Sequence, residues 1–125
     1  MDRTIVHFEI PADDLEKLGK FYSQLFGWKI IKMPGPVEYR GIETVPVTKK
    51  GLLERPGVNG GLIRKQNPEH KPINYIAVES VDEYMKRIKG LGGRIVLPKI
   101  QVPGVGWWAQ ASDPEGNQFA ILESI

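Results

Sequence analysis

The chain has no cysteine. That removes disulfides, thiolate metal ligands and thiol nucleophiles together, and it is the usage expected of a cytoplasmic protein. Histidine is sparse too, with only His7 and His70. No apolar run approaches the roughly 20 residues that a membrane-spanning helix needs. Met1-Asp2-Arg3-Thr4 leads straight into a strand pattern, so no cleaved signal is expected. Charge of one sign is nowhere concentrated: Lys and Arg number 17 against 15 Asp and Glu, a net charge of +2. Basic residues meet only in pairs, such as Lys49-Lys50, Arg64-Lys65 and Lys86-Arg87. A nucleic-acid footprint needs them gathered on one face beside a reading motif. Neither nucleic acid nor membrane is expected as a partner.

What is present is a chain of 125 residues, 41% hydrophobic and 26% charged, enough for a single domain (1–125) with its own core. Inside it lies an internal repeat, which constrains architecture more than any single residue does. Ile5-Val-His-Phe-Glu-Ile10 through Gly27-Trp28 is echoed loosely by Ile73-Asn-Tyr-Ile-Ala-Val78 through Gly93-Arg94. In the first copy Val6, Phe8 and Ile10 alternate with Ile5, His7 and Glu9, the period of a strand with one face on a core. Asp13-Asp-Leu-Glu16 reads as a capping box. Leu15, Leu18, Phe21, Tyr22, Leu25 and Phe26 form an apolar stripe at helical spacing, and Gly27 ends it. Further strands are predicted over 28–33, 37–47 and 58–64.

The second copy repeats the order. Tyr75, Ala77 and Glu79 alternate with Asn74, Ile76 and Val78; Ser80-Val-Asp-Glu83 is again a capping box; Tyr84, Met85, Ile88 and Leu91 give the helical stripe. Strands follow over 94–97, 106–112 and 118–123, the last two joined by the turn Asp113-Pro-Glu-Gly116. The prediction is an α+β fold of two βαβββ modules, 1–66 and 67–125. They are expected to form a cupped, mostly antiparallel mixed sheet with its helices outside.

Strand parity then separates two faces. If Val6, Phe8 and Ile10 pack beneath the first helix, His7 and Glu9 point to the opposite side of the sheet. Likewise Ile76 and Val78 lie beneath the second helix, and Tyr75 faces away. The expectation is a concave, partly polar cleft between modules into which His7, Glu9 and Tyr75 look. Trp107 and Trp108 are adjacent in a strand, so one ring meets the helices and the other the cleft, where it would stack on a flat or apolar ligand. Gln110 is a neutral hydrogen-bonding candidate on the same strand. Tyr39 and Arg40 could bind an anionic group, although a solvated Arg is the favoured reading there. His70, between two prolines, reads as a surface residue.

His7-Phe-Glu-Ile10 before Asp14, Phe21-Tyr22 ahead of Phe26-Gly27-Trp28, Asn59-Gly60-Gly61, Tyr75-Ile-Ala-Val78 before Val81-Asp82, and Ser112-Asp-Pro-Glu-Gly-Asn117 occur in an order that resembles the vicinal oxygen chelate superfamily. That superfamily includes glyoxalase I, bleomycin resistance proteins and extradiol dioxygenases. The resemblance covers the whole chain and implies the two-module fold; it is weak for activity, because one scaffold hosts many chemistries. In its metalloenzymes four ligands, usually His or Gln and Glu, sit on the first and last strands of each module. The resemblance places His7 at the first position, Gly61 at its partner, Tyr75 at the third and Ala120 at the fourth. Gly and Ala have no donor, so a divalent metal centre lacks most of its ligands.

Three functions remain open. The leading one is a small-molecule binding protein that takes an apolar or aromatic ligand without the usual metal, through His7, Glu9, Tyr75, Trp107, Trp108 and Gln110. The second is a metal-dependent lyase, isomerase or dioxygenase, with His7 as ligand and Glu79 or Glu43 reaching in. The third is a metal-free enzyme using His7 and Glu9 as acid and base. Sequestration of bleomycin itself is disfavoured, since a cationic drug calls for an acidic cleft. By analogy with family members of this length, and because open sheet edges need cover, a homodimer is expected.

Overall fold

The computed structural model describes residues 2–35 and 38–125. The protein is α+β and contains the βαβββ order twice: β1 (Ile5–Ala12), α1 (Leu15–Phe26), β2 (Lys29–Lys32), β3 (Tyr39–Glu43) and β4 (Gly60–Arg64), then β5 (Ile73–Ala77), α2 (Val81–Gly90), β6 (Arg94–Val102), β7 (Gly106–Ser112) and β8 (Gln118–Ser124). Residues His7–Pro72 make one compact unit, and Met1–Val6 with Ile73–Ile125 make another.

In the first unit β1 runs parallel to β4, β4 antiparallel to β3, and β3 antiparallel to β2. Beneath α1 the core is Ala12, Leu15, Ile42 and Leu62, with Phe8, Ile10, Leu18, Tyr22, Trp28 and Ile30 packed around it. Buried Gly19 lets the helix close down on β2, since a Cβ there would stand 3.2 Å from Ile30 Cγ2. The predicted parity of β1 holds with one shift: Phe8, Ile10 and Ala12 carry the core, while Val6 is 40% exposed. The predicted stripe of α1 is also narrower than expected. Phe21, Leu25 and Phe26 are more than half exposed, because only the Leu15–Leu18–Tyr22 line meets the sheet. The cap is Asp14 rather than Asp13, its carboxylate accepting the Lys17 N–H at 3.0 Å. Strand β1 runs to Ala12, which moves the helix start one residue on. The third strand begins at Tyr39; Val37, included in the prediction, lies outside the described residues.

In the other unit β5 runs parallel to β8, β8 antiparallel to β7, and β7 antiparallel to β6. Val78, Val81, Ala109 and Ile121 form the core beneath α2, flanked by Ile76, Tyr84, Met85, Ile88, Trp107 and Phe119. The Ser80 hydroxyl caps α2 by accepting the Glu83 N–H at 3.1 Å, as the capping box predicts. Leu91 is instead the exposed C-cap. Strand β6 continues past its predicted end at Leu97, crossing Pro98 by register shifts against β7. A bulge is where a strand tolerates proline's missing N–H donor. At the β7–β8 turn the Asp113 carboxylate accepts from Asn117 Nδ2 and from the Glu115 and Asn117 N–H groups. Asn117 and these backbone donors hold the Asp113 carboxyl below its usual range.

Candidate functional site

Among the described residues each unit presents a sheet face that its helix does not cover, and the candidate side chains of β1, β5 and β7 divide between the two faces. In the first unit Phe8 and Ile10 take the α1 side of β1, so alternation sends His7 and Glu9 to the other side. Glu9 is 3% exposed and is the charged side chain found buried among the described residues. A carboxylate at that depth must be met by donors. Its ladder neighbour is Gly61 on β4, and Gly61 in turn pairs with Gly41 on β3.

That run of glycines has a consequence which sequence reasoning missed. Tyr39, two strands from β1, reaches across β4 so that its hydroxyl lies 2.9 Å from His7 Nε2. The ring passes over Gly61, where a Cβ would fall only 2.0 Å from the Tyr39 hydroxyl. Gly61 is therefore more than a position without a ligand: its bare backbone is the channel through which phenol meets imidazole. The available signal was a double glycine inside a strand, which marks close approach by another group. Neighbouring Asn59 sets the strand entry. Its side-chain oxygen accepts from the Thr44 and Val45 N–H groups, and its amide donates to the Val45 carbonyl. Burial pushes the His7 imidazole down to about 4, so it is neutral at pH 7.

Strand β3 divides the other predicted pair. Tyr39 joins His7, whereas Arg40 alternates to the α1 side with Ile42.

In the other unit the helix-free face holds Ile73, Tyr75 and Ala120, with Trp108 packed on them. Tyr75 is 1% exposed and meets the Trp108 ring edge-on at 4.6 Å. Tyr75, Ala120 and Gln110 follow one another across β5, β8 and β7 in register. Trp107 turns the other way, into the core under α2, with the Lys99 ammonium 5.5 Å from its ring centre. The adjacent tryptophans are thus assigned: Trp107 to the helix side, Trp108 to the open face. Small residues at Gly61 and Ala120 recur in the two units, each with an aromatic side chain lodged against it.

The remaining sequence candidates lie elsewhere. Glu79 is exposed and ion-paired with Arg3 at 2.7 Å, and Glu43 stands opposite Lys29. Half-buried His70 accepts the Gln66 N–H through Nδ1, and burial, then Lys65, hold its pKa below the ordinary value. Among the described residues no three of His, Cys, Asp and Glu stand together as a metal-holding group. A hard divalent ion asks for several converging donors. A His7 engaged with Tyr39, together with Gly61 and Ala120, does not fit that request.

Comparison with known proteins agrees with this architecture. The profile of the bleomycin resistance protein-like N-terminal family matches residues 4–44. A glyoxylase-like domain-containing protein of Didymella fabae is 31% identical over 119 residues, covering 90% of this chain and 88% of that protein. The anthracycline biosynthesis protein DnrV of Streptomyces peucetius is 26% identical over 132 residues, 91% of this chain. The chain spans only 44% of the length of DnrV. Among solved structures, a methylmalonyl-CoA epimerase of Streptomyces coelicolor superposes with a TM-score of 0.70 at 15% identity, covering 98% of this chain and 99% of that one. At that identity the likeness speaks for the fold alone.

Proposed function

We propose that this chain, which belongs to the vicinal oxygen chelate superfamily as a glyoxylase-like domain, binds a small apolar or aromatic molecule on its helix-free sheet surface without a resident metal. The observation that carries the reading is the His7–Tyr39 hydrogen bond laid over Gly61. It commits the imidazole to a phenol and fills with a ring the space that a ligand at position 61 would use. The face of the first unit offers the Tyr39 ring and a neutral imidazole, and the face of the other offers the Trp108 ring, backed by buried Tyr75, and the Gln110 amide; each is suited to stacking and neutral hydrogen bonds. The likeness to a protein of anthracycline biosynthesis supports a ring-bearing ligand.

Native mass spectrometry and elemental analysis of chelator-free material test it. A carried-over organic mass with substoichiometric metal is expected. One equivalent of divalent metal per chain would overturn the reading in favour of a metal-dependent lyase, isomerase or dioxygenase.

One observation favours a second reading, a metal-free acid–base enzyme: His7 Nε2 and the Tyr39 hydroxyl stand 2.9 Å apart, an imidazole beside a phenol that can donate to it. A rate abolished by His7→Ala and by Tyr39→Phe, with the fold intact, would support it; an unchanged rate would remove both residues from the chemistry. A homodimer and a cytoplasmic location belong to the same proposal. The first is supported by the outer strands β2 and β6 and by the exposed Phe21, Leu25 and Phe26, the second by the cysteine-free sequence. Among the described residues no helix is long and apolar enough to cross a membrane.

A further inference from the structure

We propose that the groove between α1 and the β2–β3 pair is a binding site for a small anion bearing a phosphate or carboxylate group, on the side of the sheet opposite His7. The groove is open to solvent, with a volume of about 360 Å³. Leu15, Gly19 and Ile30 make an apolar floor, while Lys20, Lys32 and Arg40 stand around it against one carboxylate, Glu16, and Ser23 lines it with its hydroxyl donated to the Lys20 carbonyl at 3.2 Å.

The placement follows from periodicity. Lys20 and Ser23 are three apart on α1 and share a face. Ile30 and Ile42 pack beneath α1, so Lys32 and Arg40, two residues from them, project to the same side. Lys32 and Arg40 are also direct cross-strand partners, and like charges set opposite each other destabilise a ladder. Among the described residues neither forms an ion pair; the groove's carboxylate approaches Lys20 instead, at 3.9 Å with both side chains largely exposed. An exposed pair of that kind neutralises little.

A repulsion held at the mouth of a concave surface is relieved when an anion sits between the two cations. Arg40 is half-buried, which strengthens its field. Its guanidinium can take a phosphate or carboxylate bidentately, with the lysines as point charges. The apolar floor suits the carbon body of an organic anion.

The test is an NMR titration of the whole chain at low ionic strength with inorganic phosphate, phenyl phosphate and benzoate in separate arms. Saturable shifts are expected at the amides of Lys20, Ser23, Lys32 and Arg40. Phenyl phosphate should bind more tightly than inorganic phosphate through the floor, and the order of phenyl phosphate and benzoate identifies the head group. Arg40→Gln should weaken binding roughly tenfold, while Lys86→Gln, on α2, should leave it unchanged. With no anion present, Arg40→Gln should raise Tm at low salt, which also shows that the variant folds. Shifts that never saturate, an equal loss in Lys86→Gln, or a lowered Tm in Arg40→Gln would each overturn the proposal.

Discussion

Gly61 shows how one residue can carry the consequence of a missing atom. Adding a Cβ there drives it into the Tyr39 ring and hydroxyl, so Gly61→Ala must displace that ring and break its hydrogen bond to His7. Overpacking of this kind destabilises by about 1–3 kcal/mol. Chemical denaturation should show that loss in Gly61→Ala and most of it recovered when Tyr39→Ala is added, because the two changes are coupled through one contact. His7 makes a second prediction. Its folded pKa of about 4 lies below the ordinary 6.5, so the unfolded chain takes up the proton first. Stability from this group is therefore complete above pH 6.5 and falls as the pH drops toward 4. The loss is at most about 3.5 kcal/mol, at about 1.4 kcal/mol per unit over the drop from 6.5 to about 4. Unfolding curves between those limits should be steeper in pH for the natural chain than for His7→Gln.

At the scale of elements, the helices are held by a stripe and a cap rather than by long apolar faces. The buried residues of α2 reduce to Val81, with Tyr84, Met85 and Ile88 partly covered. Its start depends on the Ser80 hydroxyl and on the Glu123 carboxylate, which accepts the Val81 N–H at 2.8 Å. Removing a hydroxyl cap costs about 1 kcal/mol. Ser80→Ala should lower stability by that amount, and Ser80→Asp should restore most of it; an unchanged midpoint in Ser80→Ala would mean that Glu123 alone holds the helix start. Helix α1 leaves Phe21, Leu25 and Phe26 in solvent beside the Tyr22–Trp28 stack, whose ring centres lie 5.3 Å apart.

For the whole molecule, those three apolar side chains and the outer strands make self-association the expected state. Sedimentation at micromolar concentration should give a dimer, and Phe21→Glu with Phe26→Glu should shift it to monomer without unfolding. A natural chain that sediments as a strict monomer across that range would exclude the dimer. The repeat of one βαβββ order within 125 residues, in a chain spanning 44% of DnrV, identifies the pair of modules as the piece that is shared.

The amino-acid order by itself determined the element sequence, the parity of β1 and β5, and the cap at Ser80. Each of these rests on residues within a few positions of one another, where periodicity and local hydrogen bonds decide. It also exposed the lack of donors at Gly61 and Ala120. Only the tertiary structure decided that Tyr39 and Arg40 part to opposite faces, that Trp108 rather than Trp107 meets Tyr75, and that a phenol crosses Gly61 to reach His7. Those outcomes depend on which strands become neighbours and in what register, and register is set by contacts between residues far apart in the chain.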